Sequence, residues 1–165
     1  MQRRTALVWP AALMLSACGF KLRQAPDFAF DAVFINGQAN SPLAQELARN
    51  LEATDRVHVI KDPQKMDSAQ VIVDLLSELR EKVVVALNAS GQVRQFQVRL
   101  RVRFKLRTLE GKELIEPSEI LQQRDINYNE TLALAKETEE ALLYKSMQTD
   151  VVQQLVHRLA AVRKL

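Results

Sequence analysis

The sequence predicts an α+β domain built as a two-layer sandwich, with two α-helices on one face of a mostly antiparallel, mixed β-sheet in the order β-α-β-β-β-β-α. Three observations predict it. Residues 71–87 and 96–106 alternate apolar and polar side chains over lengths that suit strands with one dry face each. Asn88-Ala89-Ser90-Gly91 lies between them as a hairpin turn. The closing segment repeats apolar residues at steps of three and four, the mark of a helix with one buried stripe. A sheet dry on one face, with amphipathic helices to cover it, makes two layers.

The elements follow in chain order. Residues 28–35 are an aromatic and β-branched run that reads as a strand, closed by Asn36-Gly37. Ser41-Pro42 starts a helix, because serine caps free amides and proline fits the first helical position. Leu43, Leu47 and Leu51 then line one face. Residues 56–60 form a short strand with Val57 and Val59 on one side, completing a βαβ crossover.

In the first long strand the apolar row is Val71, Val73, Leu75, Leu79, Val83, Val85 and Leu87, interrupted by Ser77 and Glu81. In the second it is Phe96, Val98, Leu100, Val102, Phe104 and Leu106, unbroken. Both rows are expected to face one core, so odd positions pair with even ones and residue numbers sum to an odd value near 179 or 181; a one-residue slip would turn a row to solvent. Glu110-Gly111 turns the chain into a strand over 113–126, where Pro117 predicts an edge position with a bulge or kink. Asn129 is placed to cap the last helix, whose stripe is Tyr144, Met147, Val151, Leu155, Leu159 and Val162. Arg158, Arg163 and Lys164 suit the negative end of its dipole.

The amino terminus reads as a lipoprotein signal peptide over residues 1–17. Arg3 and Arg4 precede an apolar core that is too short to cross a bilayer, which takes about 20 residues. Leu15-Ser16-Ala17-Cys18 then fits a bacterial lipobox. Cys18 is the chain's single cysteine, so no disulfide accounts for it, and it is expected to carry the acyl chains of a stable anchor. Gly19 stands where an aspartate would resemble an inner-membrane retention signal, which favours the outer membrane. Residues 18–27 read as a lipidated tether and 28–165 as one domain. Removing the signal leaves 148 residues and lowers the formal charge from +3 to +1, since two arginines and no acids depart. An exported chain is a poor candidate for nucleic-acid binding.

The charged face of the second long strand is the candidate binding surface. Arg99, Arg101, Arg103, Lys105 and Arg107 alternate with the apolar row over roughly 27 Å, at ~3.4 Å per residue. A solvated face balanced by neighbouring acids would give the same pattern, and the expected register sets Asp74 and Glu78 opposite part of it. That register also sets Arg80 and Lys82 near Arg99 and Arg101, and opposed like charges destabilise a sheet. A positive field kept at such a cost suits an anion, and forked guanidinium groups bind phosphate best. An acidic protein wall would fit equally.

Catalysis has little support. His58 and His157 lie apart without metal-ligand spacing, and Glu137, Glu139 and Glu140 suit the start of a helix. Four glycines leave no phosphate loop. No enzyme activity, metal or cofactor is expected.

Two segments carry a resemblance. Ala17-Cys18-Gly19-Phe20-Lys21-Leu22-Arg23 resembles the mature start of the LptE family of lipopolysaccharide-assembly lipoproteins. Tyr128-Asn129, Leu134-Ala135-Lys136-Glu137, Glu139-Glu140, Leu143-Tyr144, Met147 and residues 154–159 resemble that family's last helix. The resemblance implies a plug inside the LptD β-barrel, in one-to-one complex, assisting its assembly and the delivery of lipopolysaccharide to the outer leaflet. It also implies lipopolysaccharide binding through basic residues, with Lys136 as a contact. Where the family presents basic charge at the turn near Gly91, this chain has Ala89 and Ser90, and its nearest cation is Arg94. The expected ligand contacts are thus Lys136, Arg94, Arg99, Arg101 and Arg103. A free-standing carrier of an anionic lipid, without a barrel, is the alternative.

Overall fold

The computed structural model describes residues 26–38, 40–129 and 133–165. Its elements are β1 (Ala32–Asn36), α1 (Pro42–Glu52), β2 (His58–Ile60), a 3-10 helix (Pro63–Ser68), β3 (Val71–Leu87), β4 (Val93–Thr108), β5 (Glu113–Asn127) and α2 (Ala133–Ala160). The strands form one sheet in the order β2-β1-β3-β4-β5. β1 runs parallel to β2 and β3, and the β3-β4-β5 meander is antiparallel. Both helices cover one face, as the sequence predicts.

Local chemistry sets the boundaries. The Ser41 hydroxyl accepts the Ala44 amide at 3.2 Å, with Pro42 in the first turn of α1. Leu43, Leu47 and Leu51 are fully buried against Val33, Val71 and Val73. From α2, Met147, Val151, Leu155 and Leu159 fill the same core beneath Val98, Leu100, Val102, Phe104 and Leu106. The segment between Asn129 and α2 lies outside the described residues, and the capping role expected of Asn129 with it. Gly91 and Gly111 have φ of 81° and 91° at the two hairpin turns, a conformation that L side chains adopt with strain.

The first strand is shorter than expected, starting at Ala32 rather than Phe28, and two further features depart from the sequence reading. The 3-10 helix was not expected; capped by Asp62, it covers a corner of the sheet's other face, where Phe34, Ala69 and Ile72 form a second small core. More consequential is a bulge in β3. Val71↔Thr108, Val73↔Leu106 and Leu75↔Phe104 keep the expected sum of 179. The register then shifts between Leu75 and Ser77, so that Glu78↔Val102, Arg80↔Leu100 and Lys82↔Val98 sum to 180. One extra residue in one strand exchanges its faces from there on. The apolar row expected on the core side therefore ends at Leu75; Leu79 is 47% exposed and Leu87 58%. Arg80 and Lys82 do not join Arg99 and Arg101 but face the helices. In β5 the register shifts twice between Ser118 and Glu113, the first time at Pro117, on the edge strand, as expected.

Candidate functional site

Because Val98, Leu100, Val102, Phe104 and Leu106 are drawn into the core, the intervening cations of β4 stand on the face away from the helices. Flanking strands neutralise part of this row. Arg101 pairs with Glu119 at 2.7 Å and with Glu81 at 3.9 Å; Lys105 pairs with Glu113 at 3.1 Å; Arg107 pairs with Asp74 at 2.7 Å. Arg99 donates to the Gln97 side chain at 2.8 Å and makes no ion pair among the described residues. Arg103 is exposed and likewise makes none. The bulge adds Leu79 beside Arg101, and Leu121 flanks Arg101 from β5, so the face is apolar as well as cationic. Asp74 is the buried acid of this face. Burial would raise its carboxyl pKa, but hydrogen bonds from Arg107 and Asn36 and the charges of Arg107 and Lys105 outweigh that and hold it below the usual value.

Lys136 lies elsewhere. Its ammonium is 2.7 Å from Glu139, and the side chain lines a cavity of about 120 Å³ with Lys82, Phe96, Ile126, Tyr128, Glu137 and Glu140. Phe96 and Tyr128 meet edge to face, centroids 5.2 Å apart. Lys82 sits 4.5 Å from the centre of the Phe96 ring and 2.6 Å from Glu140. Phe96 and Lys82 belong to the helix side of the sheet, so this cleft and the arginine row are on opposite faces. The two lysines meet three glutamates here, and an anion that enters must displace a carboxylate. Arg94 is exposed, and its carbonyl accepts the Tyr128 amide at 2.8 Å, which sets it beside the cleft.

The expected contacts thus divide into Lys136 with Arg94 and, across the sheet, Arg99, Arg101 and Arg103. The place of Lys82 in the cleft was missed in the sequence. The signal for it was present as the polar interruptions at Ser77 and Glu81 in the apolar row of β3. Cys18 lies outside the described residues. Among the described residues no group of side chains is arranged to hold a metal ion, and no helix is long and apolar enough to cross a membrane.

The architecture defines a class before any name does. It is similar to lipoprotein B of Nitrosomonas europaea, 33% identical, with a TM-score of 0.73 over 87% of this chain and 91% of that one. The rare lipoprotein B of Shewanella oneidensis shares the fold at 18% identity, with a TM-score of 0.67 over 79% of this chain and 95% of that one. A family model described as LptE, lipopolysaccharide-assembly, matches residues 29–159. The chain belongs to that family of outer-membrane lipoproteins. It is similar to the LPS-assembly lipoprotein LptE of Pectobacterium atrosepticum, 27% identical over 161 residues, covering 96% of this chain and 85% of the relative.

Proposed function

We propose that this chain is anchored in the outer membrane through acyl groups on Cys18, occupies the lumen of the LptD β-barrel in a one-to-one complex, and assists assembly of the translocon that delivers lipopolysaccharide to the outer leaflet. The observation that carries the reading is the outer face of β4 and its neighbours, an ordered array of Arg99, Arg101, Arg103 and Lys105 with Glu81, Glu113 and Glu119. A barrel lumen is polar and matches a plug that keeps charged strands outward. In this reading lipopolysaccharide phosphates contact Arg99 and Arg103 on one face and Lys136 with Arg94 on the other.

Photo-crosslinkers decide it. One at outward Arg101 or Ser90 is expected to capture a large outer-membrane barrel, and one at buried Val102 is not. Crosslinks to lipid or soluble proteins alone would promote a free-standing lipid carrier. That second reading has one observation in its favour, an open groove of about 750 Å³ between α1 and the β2 edge, lined in part by Ala44, Ala48, Val59, Ile60 and Met66.

A further inference from the structure

Beyond Asp74, the edge of β3 that faces β1 has no strand beside it among the described residues. β1 pairs with Val71 to Asp74 only, so among the described residues Leu75–Leu87 has β4 as its one strand neighbour. Register shifts at Leu76 and Val85 bracket an even stretch from Ser77 to Val84, eight residues, or roughly 27 Å of strand. An open edge presents unpaired amides and carbonyls to any extended chain, and proteins blunt such edges with short strands, proline, bulges or charge. The sheet's outer edges are blunted in these ways. β2 has three residues, and β5 carries Pro117, a bulge, Glu113, Glu116 and Glu119. The β3 edge also has bulges at its ends and charges at Glu78, Arg80, Glu81 and Lys82, but it differs in being long, free of proline and apolar. Of eleven exposed large apolar side chains among the described residues, six are on it: Leu76, Leu79, Val83, Val84, Val85 and Leu87.

We propose that Ser77 to Val84 is a strand-addition site, taking an extended segment of a partner protein as a sixth strand of the sheet. The register dictates its chemistry. On the outer face Leu79 and Val83, 47% and 37% exposed, call for apolar neighbours. On the helix side Arg80 and Lys82, with side chains 46% and 39% exposed, hold Glu78 at 3.7 Å and Glu140 at 2.6 Å and keep further donors for an incoming acid. The occupant is an extended segment that alternates apolar and acidic residues, joined by main-chain hydrogen bonds. The Tyr144 hydroxyl donates to the Glu81 carbonyl at 2.7 Å, and a carbonyl oxygen keeps a second lone pair for an incoming amide. A second copy of this chain is the competing occupant. An antiparallel β3 pair centred on Arg80 opposes Arg80 to itself but sets Glu78 against Lys82, so the oligomeric state is an arm of the test.

The probe is a synthetic octapeptide of alternating valine and glutamate, added to the purified full chain in detergent. Saturable binding is expected, with new hydrogen-exchange protection confined to residues 77–84. Affinity is expected to fall at least tenfold for a peptide N-methylated at alternate residues, for one with lysine in place of glutamate, and for the Val83→Lys protein, whose unchanged melting temperature would show that it folds. Absence of saturable binding, protection on β5 instead, or equal affinity of the N-methylated peptide would overturn the proposal. A dimer that forms without peptide and is lost in Val83→Lys would assign the edge to a second copy and overturn it too. None of these outcomes bears on the barrel partner, which the crosslinking experiment tests separately.

Discussion

Asp74 and Arg107 lock the outer face of the sheet where β3 meets β4: the guanidinium Nε lies 2.7 Å from Oδ2 of a residue only 6% exposed, while the Asn36 amide donates to Oδ1 at 2.7 Å. One carboxylate therefore ties three strands, β1, β3 and β4. Its folded pKa is depressed below 3.8, so its stabilisation is fully present above that value and is lost as pH falls through the folded one. Asp74→Ala is expected to cost roughly 2–3 kcal/mol at neutral pH, because it strips two charge-assisted hydrogen bonds from a mostly buried site. Urea denaturation of the two proteins should show that this difference shrinks below about pH 4. A difference that is constant down to pH 2 would refute it.

The bulge makes two odd-numbered positions of one strand unequal. Val73→Lys is expected to unfold the domain, since Val73 is wholly buried and an unpaired ammonium there costs several kcal/mol of a total of roughly 5–15. Leu79→Lys should cost no more than about 1 kcal/mol, chiefly from setting an ammonium opposite Arg101. Thermal melts of both variants check the exchanged faces; similar losses would place Leu79 back on the core side.

The tie between Tyr144 and Glu81 holds α2 to the bulged part of β3. Tyr144→Phe keeps the ring and the nearby Arg80 guanidinium, 5.3 Å from its centre, and removes the hydroxyl alone. The expected cost is about 1 kcal/mol in denaturant titration, with faster hydrogen exchange in residues 79–83.

Lipopolysaccharide affinity should separate the arginines by their neighbours. Arg103→Gln is expected to weaken binding more than Arg101→Gln, because Arg101 is already neutralised by Glu119 and Glu81. Loss of Arg103 should also flatten the salt dependence, as exposed charges are screened over ~8 Å at physiological ionic strength. Lys136→Gln acts on the opposite face, so its effect should multiply with that of Arg103→Gln. Equal affinities in all three variants would leave these cations to the barrel wall.

Cys18→Ala tests the anchor independently of the domain. A longer, unacylated precursor is expected on electrophoresis. Normal processing and outer-membrane fractionation of the variant would exclude the lipobox.

Periodicity and local chemistry determined most of the element list. Ser41-Pro42, the leucines at 43, 47 and 51, the unbroken apolar row of β4 and the kink at Pro117 all act within a few residues, so they are readable without coordinates. The cation row of β4 was equally legible, since alternation alone places Arg99, Arg101 and Arg103 opposite a row that must be buried. Tertiary structure decided what depends on pairing. The bulge at Leu76 follows from where Glu78, Arg80 and Lys82 find partners: the Ser41 hydroxyl, Gln148 with Tyr144, and Glu140 with Phe96. Of these, Ser41, Glu140 and Gln148 are 37 to 68 residues away in the chain, beyond the reach of any local pattern. The same shift turned an expected core row into an exposed strand edge and moved Arg80 and Lys82 to the helix side of the sheet. A register is a property of two strands and the helices beneath them, and no single strand's sequence contains it.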